Sequence, residues 1–219
     1  MKERPILFSG PMVRALLAGA KTQTRRIVKD LKWIEKTFPG VDPYWRLTEP
    51  SGSGPCDPTD PRDLDWLMSR NHYGQPGDRL WVKETYYNYG AFKGAGRSYY
   101  RADLGDDAKE PHGQKWKPSI FCTRKASRIT LEITGVRVER LNDISEAEAE
   151  AEGIMRNEGC DPWTREDGWI KYPLDRHTED FPAFTAKESY QTLWESINGA
   201  GSWALNPWVW VIEFKRITP

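Results

Sequence analysis

Apolar residues in this chain recur in short runs, and the runs sort into two periods. Pro5-Ile6-Leu7-Phe8-Ser9 reads as a first strand. Pro11 suits the first turn of a helix, and Met12, Val13, Leu16 and Leu17 then fall on one helical face. Gly19 is the expected stop. Thr22 to Val28, rich in β-branched residues, predicts a strand leaving that stop, so Lys21 sits at the turn. From Leu31 to Gln75 the pattern dissolves. Ser51-Gly52-Ser53-Gly54-Pro55 and Asp57-Pro58-Thr59-Asp60-Pro61 are loop chemistry, interrupted by Trp33, Trp45 and Trp66.

Order resumes at Gly77-Asp78, a turn feeding a strand over Arg79 to Thr85 in which Leu80 and Val82 share a face. Tyr99-Tyr100-Arg101 suggests another strand, and the polar run from Leu104 to Pro118 a loop. The clearest β signal runs from Ala126 to Leu141. There the alternation of Ile129, Leu131 and Ile133 changes phase around Gly135 before Val136 and Val138, which suggests a bulge or bend. Ser145 as N-cap with Glu148 three residues on predicts a short helix over Glu146 to Glu152. Tyr190, Leu193, Trp194 and Ile197 give an amphipathic helix, and Trp208 to Ile217 alternates as a closing strand. These elements predict an α+β fold: a small, partly closed β-barrel with flanking short helices. One domain is expected over 1–219, with loop-rich insertions at about 31–75, 86–118 and 155–187.

Composition narrows the partners. Hydrophobic residues make up 38% and charged residues 29%, with a mean hydropathy of −0.74, which predicts a soluble protein with a modest core. Eleven Trp offer buried area, and also flat faces on which bases can stack. Lysine plus arginine equals aspartate plus glutamate at 32 each, whereas gripping a long duplex takes a basic excess. A modified nucleoside or nucleobase, or a short single-stranded RNA, needs only a local pocket. Cys56, Cys122 and Cys160 lack CxxC spacing, and His72, His112 and His177 are scattered, so neither a disulfide framework nor a metal site is expected, and no cofactor is implied. No apolar run reaches the length of a signal peptide or a membrane helix, so a cytoplasmic protein is expected, with its oligomeric state unread.

The segment Gly19-Ala20-Lys21-Thr22-Gln23-Thr24-Arg25-Arg26 resembles the G-x-K-x-x-x-x-R signature of ASCH domains, a branch of the PUA-like superfamily. The resemblance continues, in the family's order, at Gly77-Asp78-x-Leu80, at Asp143 to Ile154 and at Trp208 to Phe214. Pro11 to Leu17 and Leu193 to Gly199 are similar to larger ASCH proteins carried by bacteriophages and prophages. The Gly-x-Lys-Thr-x-Thr-x-Arg run is also similar to the ASCH amidohydrolases that cleave N(4)-acetylcytidine to cytidine and acetate. That resemblance implies a catalytic lysine at Lys21, a catalytic threonine at Thr24 and a catalytic glutamate at Glu152. Glu146, Glu148 and Glu150 alternate with Glu152 and are its alternatives.

The chemistry suits these residue types. Amide hydrolysis needs a nucleophile, a base to take its proton and an acid for the departing nitrogen. Thr24 would be the nucleophile or would position water, Lys21 the base if burial and neighbouring Arg25 or Arg26 lower its basicity, and Glu152 the acid or the guide of a hydrolytic water. Arg26 shares a strand face with Thr24 and would stabilise charge on the carbonyl oxygen, while Glu84 and Trp81 are candidates to line the substrate pocket. A basic turn after a helix also follows from the helix's negative C-terminal end, with no catalysis implied. The competing reading is an RNA-binding or RNA-processing module. Lys115, Lys117, Arg124, Lys125 and Arg128 interleave with Trp116 and Phe121, a pattern suited to backbone contacts and base stacking. A third is a phage accessory protein whose insertions serve protein contacts.

Overall fold

The first strand, β1 (Glu3–Leu7), begins two residues before the apolar run because backbone pairing sets its ends. It pairs in parallel with β2, the strand Arg79–Lys83, from Glu3 opposite Arg79 to Leu7 opposite Lys83. Strand βN is Gln23–Ile27, β3 is Tyr86–Tyr89, β4 Arg97–Tyr100, β5 Thr130–Arg140 and β6 Trp208–Ile217. The computed structural model describes residues 1–28, 61–89, 97–110, 113, 115–157, 168–170, 183 and 185–217. Within these, the main sheet has the order β1-β2-β5-β6-βN. β2 and β5 are antiparallel, with Leu80 opposite Leu131, so the sheet is mixed.

Of the expected fold, the mixed sheet with short helices is present, and among the described residues it is not a closed barrel. Among the described residues the sheet ends at β1 on one side and βN on the other. The tyrosine-rich strands β3 and β4 do not extend it. They satisfy their backbones on each other, from Tyr86 opposite Tyr100 to Tyr89 opposite Arg97, and Tyr86 bridges to Lys117. The architecture shown is therefore a mixed α/β one with a five-stranded sheet and short helices. The chain groups into two compact units, Met1–Thr22 with Tyr73–Thr134 and Glu213–Pro219, and Gln23–His72 with Gly135–Ile212.

In the first unit, helix α1 (Gly10–Leu17) starts on Pro11 and buries Val13, Ala15 and Leu16. Ile6, Phe8, Leu80, Val82, Leu131, Ile133 and Phe214 are buried in the same unit, with the Phe8 and Phe214 rings 6.2 Å apart. A smaller cluster of Tyr86, Cys122 and Ala126, backed by Tyr100, sits beside β3. The phase change at Gly135 falls inside one unbroken strand of 11 residues, where the chain passes from the first unit to the second.

The second unit holds α2 (Pro61–Ser69), which stands in the stretch read as an irregular insertion. Pro61 opens a helix there, because proline is suited to a first turn, and Leu67 is fully buried. The remainder of 31–75 up to residue 60 lies outside the described residues, as does most of 155–187. Helix α3 (Glu146–Ala151) and helix α4 (Ala186–Asn198) bury Leu141, Ile144, Ala149, Tyr190 and Trp194 against Val209 and Val211. The expected capping box is present: Glu148 N donates to Ser145 Oγ at 3.3 Å, and Ser145 N to Glu148 Oε2 at 2.9 Å. Ser145→Ala removes one half of that box and is expected to lower stability by about 1 kcal/mol, measured as a reduced urea midpoint.

Candidate functional site

In the first unit the turn after α1 fixes Lys21. Gly19 adopts φ 79°, a left-handed conformation open to glycine at little cost. Gly19 N then donates to Leu16 O at 3.1 Å and Ala20 N to Ala15 O at 2.9 Å, the paired closure of a Schellman motif. Lys21 N adds a bond to the same Ala15 carbonyl at 3.1 Å. The Lys21 side chain is only 2% exposed, and its Nζ lies 5.5 Å from the centre of the Phe8 ring. Lysine is almost never so buried without a specific reason, and the aromatic face supplies part of the lost solvation.

Glu84, also in the first unit, has a partner that the sequence did not single out. Arg128 grips its carboxylate with two bonds, Nε at 2.9 Å and Nη2 at 3.0 Å. The same guanidinium reaches Asp103 at 2.8 and 2.7 Å and stacks over the Tyr100 ring at 4.0 Å. Burial pushes the Glu84 carboxyl above its ordinary range. The Arg128 bonds and charge oppose that shift, and the nearby Asp103 charge adds to it. Trp81 does not join Glu84. Along β2, Leu80 and Val82 are buried while Trp81 and Lys83 alternate to the other side, where Lys83 Nζ lies 5.8 Å from the Trp81 ring. Glu84 continues the buried series.

The second unit contains Thr24, Arg26 and Glu152. Thr24 is 3% exposed and Glu152 4%, and Arg26 is half-buried. Alternation along βN pairs Gln23 with Arg25 and Thr24 with Arg26. Gln23 Nε2 donates to the Glu148 carbonyl at 2.7 Å, which ties βN to α3. Arg25 follows with its side chain wholly buried, and its Nη2 meets Glu139 at 2.5 Å and Glu148 at 3.5 Å. Its Nη1 reaches Glu152 Oε1 at 3.4 Å. Arg137 braces the two flanking acids, with Nε on Glu139 at 3.0 Å and Nη2 on Glu148.

Burial would raise the Glu148 carboxyl, but bonds from Ser145 and the charges of Arg25 and Arg137 hold it below the ordinary range. Tyr190 on α4 is pushed well above the usual phenol value by burial, reinforced by the Glu152 charge. It therefore keeps its proton throughout the neutral range. Sequence reasoning gave Arg25 only an effect on Lys21 and missed its contacts with Glu139, Glu148 and Glu152. The available signal was its alternation with Gln23 on βN, set against the alternating acids of α3 and the Arg137-x-Glu139 pair on β5.

The basic stretch of the first unit is partly committed elsewhere. Arg124 pairs with Glu3 at 2.9 Å, Arg128 with Glu84 and Asp103, and Lys117 Nζ lies 5.8 Å from the Tyr86 ring. Trp116 donates its indole N–H to Ala108 O at 3.2 Å. Lys115 and Lys125 are exposed, and Phe121 is 66% exposed. Among the described residues no cluster of three His, Cys, Asp or Glu side chains is arranged to hold a metal ion. No helix among them is long and apolar enough to cross a membrane. Comparisons with protein-family models, with curated proteins and with solved structures return no match.

Proposed function

We propose that this chain is a cytoplasmic, PUA-like ASCH amidohydrolase that removes an acyl group from N(4)-acylated cytosine nucleosides. The reaction takes N(4)-acetylcytidine and water to cytidine and acetate. Burial is the observation that carries the reading: Lys21, Thr24 and Glu152, singled out by their motif positions, are all nearly withdrawn from water. A lysine and a glutamate bear a desolvation cost there that a solvated turn or helix face would not.

In this scheme Thr24 Oγ1 attacks the amide carbonyl as Lys21 takes its proton, giving an oxyanion that Arg26 stabilises. Collapse breaks the C–N bond, the proton taken by Lys21 passes to the exocyclic nitrogen, and cytidine leaves. Water guided by the Glu152 carboxylate then attacks the acyl-threonine, Glu152 takes its proton and returns it to the departing Thr24 oxygen, and acetic acid is released as acetate and a proton. A variant in which Thr24 positions the attacking water uses the same groups. Glu84, fully engaged with Arg128, is assigned to the framework and not to substrate in this reading.

The test is direct. Conversion of N(4)-acetylcytidine to cytidine changes the ultraviolet absorbance and is expected for the wild type, and Lys21→Ala, Thr24→Ala and Glu152→Ala are each expected to suppress it. Absence of turnover on any N(4)-acylated cytosine would sink the reading. The second reading, single-stranded RNA binding, draws on the exposed Phe121 with Lys115 and Lys125. It expects a gel shift that weakens as salt rises and with Phe121→Ala. A shift indifferent to both changes would remove that surface from consideration.

A further inference from the structure

We infer that Arg25 is a positioning residue that holds and orients the Glu152 carboxylate. The inference rests on the amidohydrolase reading for what Glu152 does, and on the geometry alone for how Glu152 is held. Arg25 stands between two residues of the signature but is not one of its defining positions. Its side chain is completely buried, and three carboxylates from two elements surround it: Glu139 on β5, and Glu148 and Glu152 at the two ends of α3. Its Nε donor has no hydrogen-bond partner, so the guanidinium is oriented by the acids it touches and not by full satisfaction of its donors. Arginine suits this role because its planar fork can meet several oxygens at fixed angles, which a lysine ammonium cannot.

The arrangement is graded from outside to inside. Glu139 and Glu148 are part-exposed and share Arg137, whereas Glu152 is nearly sealed. Arg25 therefore joins two solvent-facing acids to one buried acid through a single rigid group. Among the described residues Arg25 on βN touches Glu152, Glu139 on β5 and Glu148 on α3 share that guanidinium, Arg137 on β5 meets Glu139 and Glu148, and Tyr190 on α4 feels the charges of Glu152, Arg25, Arg26 and Glu139. Removing Arg25 withdraws the cation that touches Glu152. Removing the charge of Glu139 withdraws a competing anion from the same guanidinium and leaves Arg25 to Glu152. The two changes must act on Glu152 in opposite directions.

The experiment follows the Glu152 carboxyl carbon by NMR at neutral pH in the full chain labelled at glutamate side chains, assigned through Glu152→Gln. Its resonance is expected to move in Arg25→Gln, and to move the opposite way in Glu139→Gln. The Glu139 variant keeps the test available if the Arg25 variant fails to fold, since Glu139 is part-exposed. Turnover of N(4)-acetylcytidine is read alongside, with kcat expected to drop about tenfold or more in Arg25→Gln and KM to stay within about threefold. Arg25→Lys, which keeps the charge and loses the fork, is expected to restore the resonance more than kcat. A Glu152 resonance unmoved in both variants overturns the inference whether or not the protein turns over the substrate. Moved resonances with no wild-type turnover would support the hold on Glu152 and overturn the amidohydrolase reading instead.

Discussion

Lys21→Met is expected to lower turnover of N(4)-acetylcytidine by about 10²–10⁴-fold, with the urea midpoint read alongside. Methionine fills nearly the same volume against the Phe8 ring and keeps the Lys21 backbone bond to Ala15, so packing and the turn after α1 survive. What disappears is one buried ammonium. Turnover reads the loss of the ammonium's chemistry, and the urea midpoint reads the loss of the contacts it makes. The pair of measurements separates the two roles. Full turnover in Lys21→Met would remove Lys21 as the base, and a large fall in urea midpoint would make it a packing residue.

The second large effect is one of stability. Arg128→Ala is expected to cost about 2–3 kcal/mol at neutral pH, below the usual figure for a broken buried pair because the Arg128 side chain is 26% exposed. The loss has a pH signature. The Glu84 carboxyl is already raised in the folded protein, chiefly by burial, and Arg128 is the group that opposes that rise. A carboxyl with a folded value above its unfolded one favours the fold fully below the unfolded value, and loses that contribution as pH climbs through the folded value. Without Arg128 the folded value moves higher still. The deficit of the variant should therefore be smallest near pH 4 and grow toward neutrality, and adding Glu84→Gln should shrink it. A deficit equal at both ends of that range would mean that Glu84 is not the group left stranded.

Elements with a complete local signal were legible in the chain. Ser145 and Glu148 specify both halves of the capping box, Gly19 specifies the left-handed stop, and the run from Trp208 to Ile217 specifies its strand to the residue. What was not legible depended on choices made between distant segments. Tyr86 and Tyr100 could have joined a closing barrel, but they pair in a separate ribbon. That preference lies in the long-range pairing and not in either strand's pattern. Pro61 reads equally as loop chemistry and as the start of a helix, and only the burial of Leu67 decides.

The candidate site divides the same way. Lys21, Thr24 and Glu152, the motif positions chosen from sequence, are all buried. The partners of the remaining charges were invisible, because Arg25 meets acids more than a hundred positions away and Glu84 meets Arg128. Trp81 and Glu84 were grouped by proximity in sequence, and strand alternation separates them.

The Schellman closure at Gly19 has a bearing on how this protein can change over evolutionary time. Lys21 hangs from the Ala15 carbonyl, so its heading is set by where α1 stops. Exchanging one apolar residue for another within α1 leaves that heading alone. Inserting or deleting a single residue between Pro11 and Gly19 would swing it by about 100°, the helical angle per residue. The spacing of that helix is thus under a stricter constraint than its composition: lineages that keep the buried lysine should vary in the letters of α1 and hold its length.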